Sequence, residues 1–543
     1  MDREELQTGR PSLLLGLFFG LLAIIPVIVV LSFGQKIPGL SFAPFDVFDF
    51  VSRILPGSVI TVSIDLMVRI ITGLNLGPTA QLAKLGEQSI AIILFLVAAA
   101  VLGLVMAFIG RFSRSRRLPV IGLAVGLFAE ILPLVAQGYL GFGPGELAAS
   151  AAWLALVLGG WGLVVGWLLQ ASLEARMVTE GQGLSRREVL YLAGTATVAV
   201  IASAIGLGSV FAGRRPETAA EQALPTPMST MTTGEAASPP ESVLAARIQP
   251  APGTRPEITS NENFYRIDID AMVPNVDATQ WRLEVSGLVD HSLSLTLDDI
   301  RTMPATSQYI TLSCISNPVG GDLISGNLWT GVRLKDVLGQ AGLQSGVKAV
   351  NIESVDGFYE SVVMQDMMDD RTLLVYEMNG QPLPAKHGFP LRIYIPNHYG
   401  MKQPKWIVRM QAVDRVGPGY WVDRGWSMEA IVRTTSVIDN VAVGQPDPGT
   451  GNLPIGGIAY SGARGISKVE VQIDDGPWTA AELRAPPLSP LMWVQWRYDW
   501  PPQPGRHVAR VRAYDGNGEL QIVKENPPHP NGASGIDTYG FST

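Results

Sequence analysis

A chain of 543 residues and 58.3 kDa exceeds one ordinary domain, and its mean hydropathy of +0.23 is high for a protein folded wholly in water. A net charge of -8 with a pI near 5.3 excludes the basic footprint of a nucleic-acid binder. The single cysteine, Cys314, excludes an internal disulfide, paired CxxC metal sites and CxxCH haem attachment.

The first 212 residues read as bilayer material. Five apolar stretches, 13–33, 89–110, 118–140, 148–173 and 189–210, each reach the roughly 20 residues a helix needs to cross a hydrocarbon core. Arg3 and Arg10, the "RFSRSRR" loop at 111–117 and the "SRRE" loop at 185–188 fall on one side of a five-span layout, which makes that side cytoplasmic. Everything after residue 210 is then expected outside the cell. Between the first two spans, Asp65 and Arg69 interrupt an apolar run, so an interfacial or re-entrant helix is expected there rather than a sixth crossing.

Glu130 stands near the middle of the third span, where a carboxylate is costly and marks a candidate functional position. A protonated Glu bonded to a neighbouring helix is the plainer reading. No histidine precedes His291, which excludes haem b held between paired imidazoles and leaves a tether, or a quinone or proton site. Ser185, Arg186 and Arg187 precede a Gly/Ala-rich apolar run and resemble a twin-arginine export signal used inside the chain.

Residues 213–259, rich in Pro, Ala, Thr, Ser and Glu, read as a disordered linker. From 260 to 427 the pattern mixes strands ("WRLEVSGLV", "LRIYIP") with short helices ("TLDDIRTM", "RLKDVLGQAG"), an α+β domain. From 428 to 543 helix signals vanish; "ISKVEVQIDDGPWTAAEL", "MWVQWRYDW" and "HVARVRAYDGNG" read as strands of an immunoglobulin-like β-sandwich. The whole is a multi-domain chain: a five-helix transmembrane anchor, an α+β domain and a C-terminal sandwich.

Two features of the α+β region carry chemistry. Cys314 precedes "NPVGGD", where Pro and paired Gly let backbone approach a ligand, and a lone thiolate suits a soft or high-valent metal whose other ligands come from a cofactor. By composition alone, a small buried hydrophobe is the competing reading. From Met378 to Val413 there is no Asp or Glu, yet Lys386, His387, Arg392, Lys402, Lys405 and Arg409 occur, a density that suits a bound anion, with a solvated basic face as the equal alternative.

The segments "NFYRID", "LSCISNPVGGDL", "WTGVRLKDVL", "YEMNGQPLPAKHGFPLR" and "PKWI", in that order, resemble the sulfite oxidase family of molybdopterin-dependent oxidoreductases. The resemblance implies a molybdenum–molybdopterin cofactor with Cys314 as the protein's ligand to the metal. It implies that His387 and Arg392 bind the pterin and its phosphate, with Lys405 and the backbone of Gln403 and Pro404 completing that contact. Tyr265 and Arg266 match an early pterin or substrate strand, with Asn263 beside it, and Ser354 and Asp356 match a cofactor-contacting turn. Cys314, Arg266 and Trp426 are the catalytic candidates. Two departures stand out: Val319 replaces an arginine five residues after the cysteine, and Trp426 replaces an active-site tyrosine. The expected function is two-electron oxygen-atom transfer on a small sulfur-containing or similar substrate, with sulfite oxidation or sulfoxide reduction as the specific alternatives. A cofactor-free surface binding module is the reading outside the enzyme class. Electrons would pass to or from an external carrier, a cytochrome c or a quinone. The tail is similar to the family's dimerisation domain, so a homodimer is expected.

Overall fold

The computed structural model describes residues 11–74, 76–112, 117–179, 243, 245 and 247–543. They divide into two compact units, one drawn from 1–55 and 84–216 and the other from 56–83 and 217–543.

The first unit is helical. Its elements are α1 (Leu13–Gly34), α2 (Ala43–Ile54), α4 (Thr79–Gly110, whose first turn belongs to the second unit), α5 (Leu118–Ala129), α6 (Ile131–Tyr139) and α7 (Pro144–Thr179), while α3 (Gly57–Gly73) lies in the second unit. Four stretches, Leu13–Gly34, Thr79–Gly110, Leu118–Tyr139 and Pro144–Leu173, are long and apolar enough to cross a membrane. They coincide with four of the five expected spans. The expected span at 189–210 and the Ser-Arg-Arg run lie outside the described residues.

The third span is broken at Glu130, between α5 and α6. Pro133 explains the break: it lacks an N–H, and its ring clashes with the carbonyl four residues back, at Ala129. Glu130 Oε2 is buried and accepts no hydrogen bond among the described residues, so the expected bond to a neighbouring helix is absent for that oxygen. Helices meet here at glycines. A Cβ on Gly122 would sit 2.0 Å from the Gly162 carbonyl oxygen, and one on Gly103 would sit 2.2 Å from that of Gly16, contacts only glycine permits. The Trp161 indole N–H donates to the Gly20 carbonyl at 3.3 Å.

Between the first two long helices, the chain breaks at Leu55, which precedes Pro56 and is driven into extended backbone (ψ 145°). Helix α3 follows, carrying Asp65 and Arg69, and it folds with the second unit.

The described residues of the second unit form four β-sheets. A five-stranded sheet runs β2 (Leu293–Leu295), β1 (Leu283–Gly287), β10 (Ile407–Val413), β5 (Ala349–Ser354), β6 (Tyr359–Val363). A second sheet runs β3 (Ala305–Ser313), β4 (Ile324–Arg333), β7 (Leu373–Met378), β8 (Gln381–Pro382), with β9 (Arg392–Tyr394) paired to β7. Short helices α8 (Leu297–Arg301) and α9 (Leu334–Ala341) pack with them around a core that includes Trp281, Ile352, Leu374 and Met410. Helix α8 starts where Thr296 and Asp299 cap each other: the Asp299 N–H donates to Thr296 Oγ1 and the Thr296 N–H to the Asp299 carboxylate.

The C-terminal part is a pair of four-stranded antiparallel sheets. One runs β11 (Thr435–Val441), β12 (Leu453–Tyr460), β16 (Val494–Trp500), β15 (Glu482–Leu483); the other runs β14 (Thr479–Ala480), β13 (Ile466–Ile473), β17 (Arg506–Asp515), β18 (Asp537–Ser542). Trp496, Val469 and Val511 fill the space between them. Across the expected boundary at 427, Ile315, Ile324 and Trp426 share one buried cluster with Val437, Ile458 and Trp493.

The expected disordered linker also ends sooner than residue 259. Arg247 pairs with Glu257, Arg255 Nε donates to Asp439 at 2.7 Å, and the Thr259 N–H donates to the Gly326 carbonyl at 2.7 Å. Composition suggested a tether, but these polar residues form a strap because their partners come from distant strands.

Candidate active site

Cys314 is fixed by the turn that joins β3 to β4. Its N–H donates to the Leu323 carbonyl at 2.9 Å, and its carbonyl accepts the Asn317 N–H at 3.1 Å. Asn317 braces the turn further, its side-chain oxygen accepting the Leu323 N–H at 2.9 Å. Gly320, at φ +75°, supplies the left-handed residue the turn needs. The Cys314 sulfur lies 3.0 Å from Ser316 Oγ. Burial pushes the thiol up, against the pull of Ser316. Binding a metal there would therefore release a proton.

Residues 264–268 run past this turn as irregular backbone, not as the expected strand. Phe264 organises them. Its ring stacks on Tyr265 (centroids 5.5 Å apart) and meets Trp329 and His387 edge-on at 5.4 and 5.3 Å. The Tyr265 phenol is held well above its ordinary value by burial, and Cys314 adds to the shift while Arg392 opposes it. Tyr265 packs against the cluster that holds Cys314, within electrostatic reach of Arg392.

The cations come from the acid-free segment. His387 Nε2 lies 3.0 Å from the Asn261 carbonyl; burial first, then Lys405, Lys386 and Arg392, hold its imidazole well below the usual range, so it is neutral. Arg392, at the start of β9, donates to the His387 carbonyl at 3.1 Å and lies 4.9 Å over the Trp329 ring. Burial lowers it to about 10. Lys405 donates to Asp268 at 3.1 Å and is pushed down to about 8 by burial, with Asp268 opposing. Asp356, whose oxygen accepts the Phe358 N–H, is pushed up to about 7 by burial and then by Asp270, with Lys405 opposing. Ser354 Oγ and Trp329 Nε1 are buried with no hydrogen-bond partner among the described residues.

The structure therefore brings Cys314, Tyr265, His387, Arg392, Lys405, Ser354 and Asp356 into one region. Other expected residues behave differently. Arg266 is engaged bidentately by Asp268, at 2.6 and 3.1 Å. Asn263 is exposed, and its N–H donates to the Ser260 carbonyl. Gln403 and Pro404 frame the site: the Gln403 N–H donates to Gly400, its amide to the Ile395 and His398 carbonyls, and the Pro404 carbonyl accepts from Ile393. Pro404 has no N–H to offer a ligand, and the Gln403 N–H is already bonded within the fold. Trp426 is buried beside Ile315 and Tyr399, edge-on to His529 at 5.0 Å. Sequence reasoning missed Phe264, Asp268, Trp329 and Tyr399. Only Asp268 carried a visible signal, an acid two residues after Arg266 in "YRIDID".

Residues 270–421 match the oxidoreductase molybdopterin binding domain family. The chain is 33% identical over 152 residues to the "Uncharacterized oxidoreductase YuiH" of Bacillus subtilis, covering 28% of this chain and 75% of that protein. The chain belongs to the sulfite oxidase family of molybdopterin-dependent oxidoreductases. Rat mitochondrial sulfite oxidase is 33% identical over 287 residues, covering 45% of this chain and 52% of the rat protein. The "Putative protein-methionine-sulfoxide reductase subunit YedZ1" of Azospira oryzae is 34% identical over 158 residues, covering 29% of this chain and 58% of that subunit. The chain spans about half the length of the mammalian sulfite oxidases it matches. The matched domain implies a molybdenum–molybdopterin cofactor. The residues in place fit that group: a buried thiol, buried cations suited to a phosphate, and buried polar atoms still to be satisfied.

Proposed function

We propose that this protein is a membrane-anchored enzyme whose catalytic unit faces the extracytoplasmic side and performs two-electron oxygen-atom transfer on a small sulfur-containing or similar substrate. The observation that carries the reading is the convergence of Cys314, Tyr265 and the buried cations Arg392 and Lys405. Cys314 would be the protein's ligand to molybdenum. Arg392, His387 and Lys405 would hold the pterin and its phosphate, with Ser354 and Asp356 at a flanking turn. When bound, the cofactor supplies two-electron redox chemistry coupled to transfer of one oxygen atom.

The chain's own residues contribute position and exclusion of water. Asp268, Trp329 and the His387 carbonyl pre-arrange the cations, so an anion binds without reorganising them. The Tyr265 phenol stays protonated and can donate a hydrogen bond beside Cys314. Ile315, next to Cys314, packs with Trp426 and Tyr399 in one buried cluster. Arg266, held by Asp268, orients that carboxylate toward Lys405.

Val319 and Trp426 stand where sulfite-oxidising relatives place a cation and a phenol. Losing both should weaken a small dianion by roughly a few kcal/mol, which favours a neutral sulfoxide over sulfite. A steady-state comparison of sulfite plus cytochrome c against methionine sulfoxide plus a reduced dye tests this. Turnover of sulfite alone would reverse the assignment, and a preparation from a cofactor-competent host without molybdenum and pterin would overturn the enzyme reading. The apolar helices support the anchor, basic loops support the orientation, and the two packed sheets support an immunoglobulin-like tail that forms a homodimer. The electron carrier is a cytochrome c or a quinone, the latter near Glu130.

A further inference from the structure

The segment 56–83 separates two long apolar helices in sequence, yet it folds with the catalytic unit. It is fastened at both ends. At its start a Cβ on Gly57 would lie 2.6 Å from Arg424 Cα, an approach of backbone to backbone that only glycine allows. Within α3, Thr61, Val68 and Ile71 are buried. At its end the Thr79 N–H, the first of α4, donates to Asp322 Oδ2 at 2.8 Å, so a carboxylate from the cysteine turn caps that helix. Thr79 is buried.

The next residue is Ala80. It lies in one buried cluster with Cys314 and Leu323, against which Tyr265 and Ile267 pack. Asp322 precedes Leu323, whose carbonyl holds the Cys314 N–H. One turn therefore carries the thiol and grips the connector that covers it.

We infer that residues 76–83 are a wall of the Cys314 pocket, clamped by Asp322, with Ala80 limiting the size of substrate that reaches the sulfur-bearing centre. The clamp can be tested without the cofactor because Cys314 is the only thiol in the chain. The size limit rests on the proposed oxygen-atom transfer.

In full-length protein from a host unable to make the cofactor, maleimide alkylation of Cys314 should accelerate about tenfold on Asp322→Ala, the factor expected when a hydrogen bond to a charged acceptor no longer holds the closed position. Thr79→Pro removes the same bond while leaving Asp322 intact, and proline at a first helical position preserves α4. It should have the same effect, with the melting temperature unchanged. Unchanged alkylation in a variant that melts as wild type would overturn the clamp. In the loaded enzyme, Ala80→Gly should lower and Ala80→Leu raise the KM for methionine sulfoxide relative to dimethyl sulfoxide. An unaltered ratio would overturn the size limit. Faster alkylation in an enzyme that turns over neither sulfite nor sulfoxide would keep the clamp and reject the proposed function instead.

Discussion

The helical unit and the catalytic unit solve the packing problem in opposite ways. In the helical unit large apolar side chains face outward, Leu14 at 79% exposure and Leu156 at 70%, while glycines bring backbones together. In the catalytic unit Trp329, Trp406, Trp493 and Trp496 are fully buried, and so are charged groups. The contrast follows from the solvent each proposed environment supplies. Lipid does not penalise an exposed Leu, so helices associate through close contact. Water drives apolar surface inward, and a charge that follows needs a partner or a ligand to keep it there.

The sharpest break of the catalytic side is Cys314→Ser. Activity should fall to background and bound molybdenum should drop, while the melting temperature stays at the wild-type value; full turnover would remove the sulfur from its proposed role. Next in size is Lys402→Met. Lys402 Nζ lies 2.8 Å from Glu360, whose carboxyl burial pushes up and Lys402 pulls back. Both are almost wholly buried, so removing the lysine strands the acid and should cost about 3–5 kcal/mol in denaturant unfolding. In the helical unit the equivalent break is Gly122→Leu. The side chain has no room beside Gly162, and a loss of about 1–3 kcal/mol is expected in detergent melts, with molybdenum content unchanged.

The smallest effect is a pH dependence. Because His387 is held neutral in the folded chain, the unfolded chain binds its proton first as pH falls. Stability is then full above the ordinary histidine value of about 6.5 and is lost below it, by at most about 1.4 kcal/mol per pH unit. Melting temperatures between about pH 7.5 and 5.5 should show this slope, and His387→Gln should flatten it. A slope unchanged in that variant would place the titrating group elsewhere.

Much of this contrast was legible in the chain. Four span positions, the hairpin at "IDDG" and the strands around "WRYDW" needed only local periodicity. Cys314, His387, Arg392 and Lys405 were legible because a turn and an acid-free basic run are local patterns. Phe264 and Trp329 were not, because each is an ordinary core aromatic until the partner it braces is known. The strap at 247–259 was misread for the same reason. Its polar residues are satisfied by Asp439 and Gly326, more than 60 positions away.

By itself, then, the sequence determined where the chain is apolar enough for lipid, which short segments become strands, and which residue types could hold a metal and an anion. These follow from side-chain chemistry and spacing along one segment. Tertiary structure alone decided that Asp268 would engage Arg266 and Lys405 together, that Trp426 would be buried in the core shared with the sandwich, and that Ala80 would lie against Cys314. Such choices depend on contacts between residues far apart in the chain, which form only when the sheets close and burial sets which polar groups must find each other.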